Sequence, residues 1–209
     1  LIFYNILKKM ECVQDFYNNN AQRFSDTRFC LWDAVKNFGN KFNKNDLVCD
    51  AGCGNGKNIK YFNDKCNLIG FDNCLNLVEI CLNNGYNVSH QNILSTEYED
   101  NKFNYIMCIA VIHHLDNEEK HLIAINELLR ILKIGGELLF TLWAYESDSY
   151  SKKKNFKKGH NYINFDKSTR YYYIYDEIML KDLLNKIDNN IETTYWWDRG
   201  NWNVILKKY

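Results

Sequence analysis

Three groups of residues in this chain have types and spacings suited to chemistry. The first is Asp50-Ala-Gly-Cys-Gly-Asn-Gly-Lys57, which follows the apolar run Leu47-Val-Cys49 and opens a helical period to about Phe62. Glycines at 52, 54 and 56 let a backbone turn sharply and approach a ligand with no Cβ between them. A dinucleotide-binding loop spaces its glycines G-x-G-x-x-G and seats a pyrophosphate at the helix start. Here the third glycine comes one residue early and an acid, Asp50, leads the loop. A carboxylate there repels a pyrophosphate and suits an ammonium group. The second group is Asp72, twenty residues after Gly52 at the end of another apolar run, where an acid can take both hydroxyls of an adenosine ribose. The third is His113-His114, just past the apolar run Phe103–Val111, at the carboxyl edge where open α/β sheets hold ligands. An adenosine with a cationic amino-acid tail, S-adenosyl-L-methionine, fits the first two groups better than NAD or an ordinary glycine-rich turn.

Further positions complete this expected cofactor site. Asn92 and Ile93 follow the third apolar run, where a polar residue can reach an adenine amino group; a simple turn role for Asn92 is the competing reading. Ala110 closes the run before the histidines. One of two adjacent histidines commonly packs inward, and His114 is taken as the one facing a methyl acceptor. Lys152, Lys153, Lys154, Lys157 and Lys158 form either a phosphate grip or a solvated loop. Tyr171–Tyr175 form either a stacking platform for an extruded base or a strand or loop packed over the core.

These residues need elements to hold them. Short apolar runs alternate with helical periods, which implies an α/β fold with a mostly parallel sheet and helices on both faces. Strands are expected at Leu47–Ala51, Asn67–Asp72, Tyr86–Ile93, Phe103–Val111 and Glu137–Trp143. Helices are expected at Glu11–Asn20, Trp32–Phe38, Leu75–Leu82 with Leu75, Val78 and Leu82 on one face, Asp116–Leu132 with Asp116 as N-cap, and Asp176–Ile187. Gly135-Gly136 is expected to end the fourth of these helices. Ile191–Trp197 and Trp202–Lys208, split by Asp198-Arg-Gly-Asn201, read as a closing antiparallel hairpin. The chain divides as one domain over 1–209: a helical cover at 10–40, a cofactor core at 46–143, a lysine- and tyrosine-rich segment at 144–175, and a closing helix and hairpin at 176–209.

Composition narrows the remaining choices. A chain of 209 residues, 46% hydrophobic, can bury one full α/β core. Its formal net charge of zero gives no global attraction for nucleic acid, so any RNA affinity must be local or come through a partner. Eight cysteines show no CxxC pair and no metal-ligand spacing with histidine. They read as free thiols of a reducing compartment, with no metal site, in the cytoplasm and also possible in the nucleus. No apolar run is long enough to span a bilayer. Leu1 in place of Met suggests a fragment, with Met10 nearer the domain start. Proline is absent, so turns rely on Asn, Asp and Gly.

Several of these stretches look familiar together. Ile109-Ala-Val-Ile-His-His-Leu115 with Glu127-Leu-Leu-Arg-Ile-Leu-Lys-Ile-Gly-Gly-Glu137 resembles the tRNA wobble-uridine carboxymethyl methyltransferases, including the methyltransferase half of the AlkB-homologue enzymes. Tyr17-Asn18, Phe24-Ser-Asp-Thr-Arg-Phe29 and Trp32 resemble that family's entry segment, and Arg170–Tyr175 with Trp197-Asp-Arg-Gly-Asn-Trp202 its closing segment. The resemblance runs from about residue 10 to the end and implies a class I methyltransferase Rossmann-like fold with a seven-stranded sheet. It implies a carboxymethyluridine acceptor in a tRNA anticodon loop. Arg28, His114 and Arg170 would then be catalytic, the arginines clamping the acceptor carboxylate, and Asp26, Tyr173, Tyr175 and Arg199 would bind substrate. It also implies a small zinc-binding activator subunit that adds a strand to the sheet edge, for which Tyr86–Ile93 is the expected site. Ile134 stands where the family usually has Pro, and Asn92 where Asp is common. A quinone-type small-molecule methyltransferase, sharing the His-His stretch, and a catalytically silent partner subunit are the alternatives.

Overall fold

The computed structural model describes residues 13, 16–18, 20–21, 30–146, 156–165, 168–188 and 190–209. Asp26, Arg28 and Lys152–Lys154 lie outside the described residues. A short helix, α1 (Asp33–Gly39), leads into β1 (Leu47–Ala51), α2 (Lys57–Phe62), β2 (Asn67–Asp72), α3 (Leu75–Asn83), β3 (Val88–His90), β4 (Phe103–Cys108) and a 3-10 turn at Ile112–His114. There follow α4 (Glu118–Ile131), β5 (Leu132–Trp143), the hairpin β6 (Gly159–Phe165) and β7 (Ser168–Ile174), α5 (Glu177–Leu184), β8 (Ile191–Asp198) and β9 (Asn201–Lys208).

Seven strands form one sheet in the order β3-β2-β1-β4-β5-β9-β8. The β1–β2, β1–β4, β2–β3 and β4–β5 pairs are parallel, while β9 runs antiparallel to both β5 and β8. The order reverses beside β1, between β2 and β4, and there the carboxyl ends of the strands diverge to leave a crevice. Strands buried on both faces are mainly apolar: Val48, Cys49 and Ala51 are buried in β1 beside the acid Asp50, and Ile106, Met107 and Cys108 in β4. Two clusters cover the faces, one around Phe103, Leu128, Phe140 and Leu180, the other around Phe38, Phe62, Val78 and Met107.

The β1, β2 and closing-hairpin expectations match the structure almost residue for residue. The hairpin turns on Arg199 (φ 47°) and Gly200 (φ 77°), with Asp198 opposite Asn201. Two successive left-handed residues give the turn whose twist matches the strands.

Other elements depart from expectation for local reasons. Helix α3 buries Leu77, Val78 and Cys81, while Leu75 and Leu82 are 54% and 53% exposed. The Cys81 thiol donates to the Gly54 carbonyl at 3.3 Å, which turns the helix toward the glycine loop. The N-cap of α4 is Asn117, whose side chain accepts from the Lys120 N–H, and not Asp116. The helix ends at Ile131, before the glycines; β5 begins at once and carries Gly135 (φ 79°) within it. Strand β4 stops at Cys108 because Ala110 turns into the left-handed region at φ 61°. The third strand is only three residues long, but it does lie at the sheet edge. The segment around Tyr145–Arg170 contributes β6 and β7, a separate two-stranded sheet.

Candidate active site

A cavity of about 450 Å³ opens at the carboxyl ends of β1, β2 and β4. Its floor is the loop from Gly52 to Gly56. Gly52 sits at φ 72°, and a Cβ there would lie 2.4 Å from Val111 Cγ2. Gly56 sits at φ 75°, with the Tyr86 ring 2.7 Å from the equivalent Cβ position. Both positions therefore need glycine twice over, for the turn and for the packing.

Asp72 ties this loop to β2. Its carboxylate accepts the Gly54 N–H at 2.9 Å through one oxygen and the Cys74 N–H at 2.9 Å through the other. Burial raises its pKa, and those backbone N–H groups oppose the rise. Asp72 lines the cavity together with Phe71, Ile93 and Leu94, an acid beside an apolar slot, the combination a nucleoside needs. Asn92 also lines it, and its Oδ1 accepts the Leu94 N–H at 3.0 Å. The turn role is thus observed for that oxygen.

Asp50 lies just beneath the loop, 1% exposed and off the cavity wall. Asn58, in the first turn of α2, reaches it by donating Nδ2 to both carboxylate oxygens at 3.0 and 3.2 Å. Burial pushes the Asp50 carboxyl up to about 7. The Oδ1 of Asn58 is buried with no hydrogen-bond partner among the described residues, and Asn58 lines the cavity. An orphan acceptor backed by a carboxylate fits a cationic amine. The loop, Asp72 and this Asp50–Asn58 pair together fit S-adenosylmethionine. Asn58 went unnoticed in the sequence; its place one residue after Lys57, in the helix turn facing back to Asp50, was the available signal.

Elsewhere on the same cavity lies an aromatic and basic wall built from the 3-10 turn, β5, β7 and the N-terminal helical residues. Arg170, 8% exposed, stacks on Phe16, Tyr17 and Tyr172 with its guanidinium carbon 4.8, 5.6 and 4.7 Å from the ring centres. Its Nη1 donates to the Tyr17 hydroxyl at 3.2 Å. His114 donates Nδ1–H to the Tyr171 carbonyl at 2.9 Å, which leaves Nε2 to accept the Tyr17 hydroxyl at 3.2 Å. Burial, helped by the Arg170 charge, lowers the His114 pKa to about 3. The ring is therefore neutral at pH 7, with both nitrogens engaged. His113 is fully buried against Tyr172 and Trp143, and its Nδ1 accepts the Trp143 N–H at 3.3 Å. Asp116 and Lys120 pair at 2.7 Å and also line the cavity. Ala110 lines it too, its N–H bonded to Thr141 Oγ1 at 2.9 Å.

The structure brings Gly52, Gly54, Asp72, Asn92, Ile93, Ala110, His114 and Arg170 to one cavity. Asp50 and Gly56 stand off the cavity wall in and beneath the glycine loop, and three expected substrate residues stand elsewhere. Tyr175 is fully buried in the core with its hydroxyl 2.5 Å from His121 Nδ1, so no base can stack on it. Tyr173 packs edge-on against His121 and His160, off the cavity wall. Arg199 projects from the closing turn toward Asp33, 3.2 Å away. Alternation along β7 is the cause: Tyr172 is the tyrosine of this run that reaches the cavity.

Comparisons with known proteins agree with this geometry. The family model described as "Methyltransferase domain" matches residues 49–140. The tRNA (carboxymethyluridine(34)-5-O)-methyltransferase of Schizosaccharomyces pombe is 32% identical over 95% of this chain and 96% of its own length. The Xenopus tropicalis tRNA (carboxymethyluridine(34)-5-O)-methyltransferase alkbh8 is 38% identical over 69% of this chain, which spans 23% of that protein. Among solved structures, an S-adenosylmethionine-dependent methyltransferase from Methanosarcina mazei has a TM-score of 0.66 at 18% identity, covering 85% of this chain and 98% of that one. A chain from a complex between the Haloferax volcanii Trm112 methyltransferase activator and a methyltransferase has a TM-score of 0.67 at 13% identity, covering 94% and 97%. The fold is the class I S-adenosylmethionine-dependent methyltransferase fold, and the chain belongs to the tRNA (carboxymethyluridine(34)-5-O)-methyltransferase family.

Proposed function

We propose that this chain uses S-adenosyl-L-methionine to esterify the carboxylate of 5-carboxymethyluridine at the wobble position of tRNA. The observation that carries this reading is Arg170, a nearly buried guanidinium fixed by three aromatic rings on the same cavity as the glycine loop and Asp72. A planar cation held this way suits a carboxylate. The cofactor supplies a methyl group on a positively charged sulfur. A carboxylate is already ionised at pH 7, so its oxygen can take the methyl without losing a proton; the bound cofactor would then leave as a neutral thioether and the acceptor as an ester. No general base is needed, which agrees with a neutral, fully hydrogen-bonded His114.

Asp72 would hold the ribose hydroxyls, Phe71, Ile93 and Leu94 the adenine, with Asn92 at its edge, and the Asp50–Asn58 pair the methionine ammonium. Arg170, positioned by Tyr17, would hold the acceptor. Arg28 and Asp26 are assigned to the acceptor side on the family resemblance, and Arg199 to the tRNA backbone on its exposed position. Nucleoside mass spectrometry of tRNA from cells with and without the gene tests the reading. Loss of the methyl ester with build-up of the free acid supports it; an unchanged ester overturns it.

A small zinc-binding activator subunit paired along β3 is proposed as the partner. Its support is the edge position of β3 and the likeness to a methyltransferase solved in complex with the Trm112 methyltransferase activator. Co-expression should raise both yield and turnover; full activity of the lone chain overturns it. Cytoplasmic or nuclear residence is proposed from the cysteines, all free among the described residues.

A further inference from the structure

The cavity wall around Arg170 holds two polar atoms that the fold leaves unused. Among the described residues, neither His113 Nε2 nor the Tyr172 hydroxyl, both buried, has a hydrogen-bond partner. His113 is 0% and Tyr172 1% exposed, and both rings line the cavity. The two rings stack 5.5 Å apart at 23°, and Tyr172 stacks in turn on Trp143 at 4.0 Å and 19°. Neither ring can swing away to find water, because Trp143 and Arg170 pack against them. Buried polar groups almost always have partners, so orphans on a cavity wall point to a ligand.

The tautomer of His113 follows from its other nitrogen. Nδ1 accepts the Trp143 N–H, so in the neutral ring Nε2 carries the hydrogen and is a donor. Burial first, then the neighbouring His114, Arg170 and His121, keep the ring uncharged against the opposing pull of the Thr141 carbonyl. Tyr172, whose ring stacks on that of His113, offers an O–H.

We propose that His113 Nε2–H and the Tyr172 hydroxyl are two uncharged donors that bind the acceptor's carboxylate oxygen atoms alongside Arg170, and so select a carboxylate over a carboxamide. This rests on the carboxymethyluridine reading and names the residues that enforce it. A carboxylate presents acceptors only, whereas a carboxamide would set an NH2 against donors and leave them unpaired. Neutral donors also hold the nucleophile without protonating it.

The test uses His113→Phe and Tyr172→Phe, which keep the rings and remove the donors, assayed with carboxymethylated tRNA. Wild-type protein is the control arm: if it forms no ester, the functional reading fails, independently of this inference. With ester formed, each variant should lose about tenfold to a hundredfold in kcat/KM, the range for a hydrogen bond to a charged partner. Affinity for S-adenosylmethionine should stay unchanged, which excludes misfolding. Carbamoylmethylated tRNA should inhibit wild-type protein poorly and the double variant relatively better. Nitrogen NMR should find His113 protonated at Nε2. Full turnover in both variants, equal inhibition by the amide in wild type and double variant, or a proton on Nδ1 would each overturn the proposal.

Discussion

Asp50→Asn offers a quantitative test of how the glycine loop is held. Asp50 is buried, its carboxylate accepts from the Asn58 amide, and burial pushes its carboxyl from 3.8 to about 7. The unfolded chain therefore ionises at a lower pH than the folded one. From about pH 4 to pH 7 the folded state binds the extra proton, so each rise of one pH unit costs the fold about 1.4 kcal/mol through this group. The accumulated cost is about 4 kcal/mol at pH 8 and about 1–2 kcal/mol at pH 5. Asparagine keeps the shape and one oxygen for Asn58 and removes the charge. The variant should thus be the more stable protein, with an advantage that widens by about 3 kcal/mol between pH 5 and pH 8. Urea unfolding at pH 5, 6.5 and 8, with constant m, measures it. A gap independent of pH, or one that closes as pH rises, would refute the argument. The same variant should bind S-adenosylmethionine more weakly, because a charge kept at such cost is expected to serve a cation.

Other expectations concern the rest of the cavity. Asp72→Ala should weaken cofactor binding by about 1–3 kcal/mol in calorimetry, since it removes charged acceptors and frees the Gly54 N–H; equal affinity would remove Asp72 from the ribose site. Gly56→Ala meets the Tyr86 ring at 2.7 Å in a left-handed conformation and should lower stability by about 1–3 kcal/mol while abolishing cofactor binding; a normal melting curve would count against the packing argument. Arg170→Ala should leave cofactor affinity within twofold and reduce ester formation on tRNA, read by single-turnover kinetics; wild-type turnover would place the carboxylate elsewhere.

Much of the cofactor half was legible because it depends on local geometry. A loop with glycines at 52, 54 and 56 between a buried strand and a helix has few conformations, and Asp72 is fixed by the length of the intervening helix and strand. The turn at Arg199-Gly200 is likewise set by two residues. Where an element's face was the question, the sequence was ambiguous. Leu75 and Leu82 suggested one face of α3, and the contact of Cys81 with the glycine loop chose another.

The chain itself therefore determined the sheet's parallel character, the cofactor loop and its acids, since these follow from periodicity and short-range sterics. Only the tertiary structure decided the acceptor wall. Tyr172 faces the cavity while Tyr173 and Tyr175 do not, because β7 pairs with β6 and lies across the 3-10 turn, fixing which side of its alternation looks inward. Of the two adjacent histidines, His114 spends both nitrogens on Tyr171 and Tyr17, and His113 keeps one unspent. That difference rests on partners 30 to 97 residues away in the chain, and no local rule assigns hydrogen bonds over such separations.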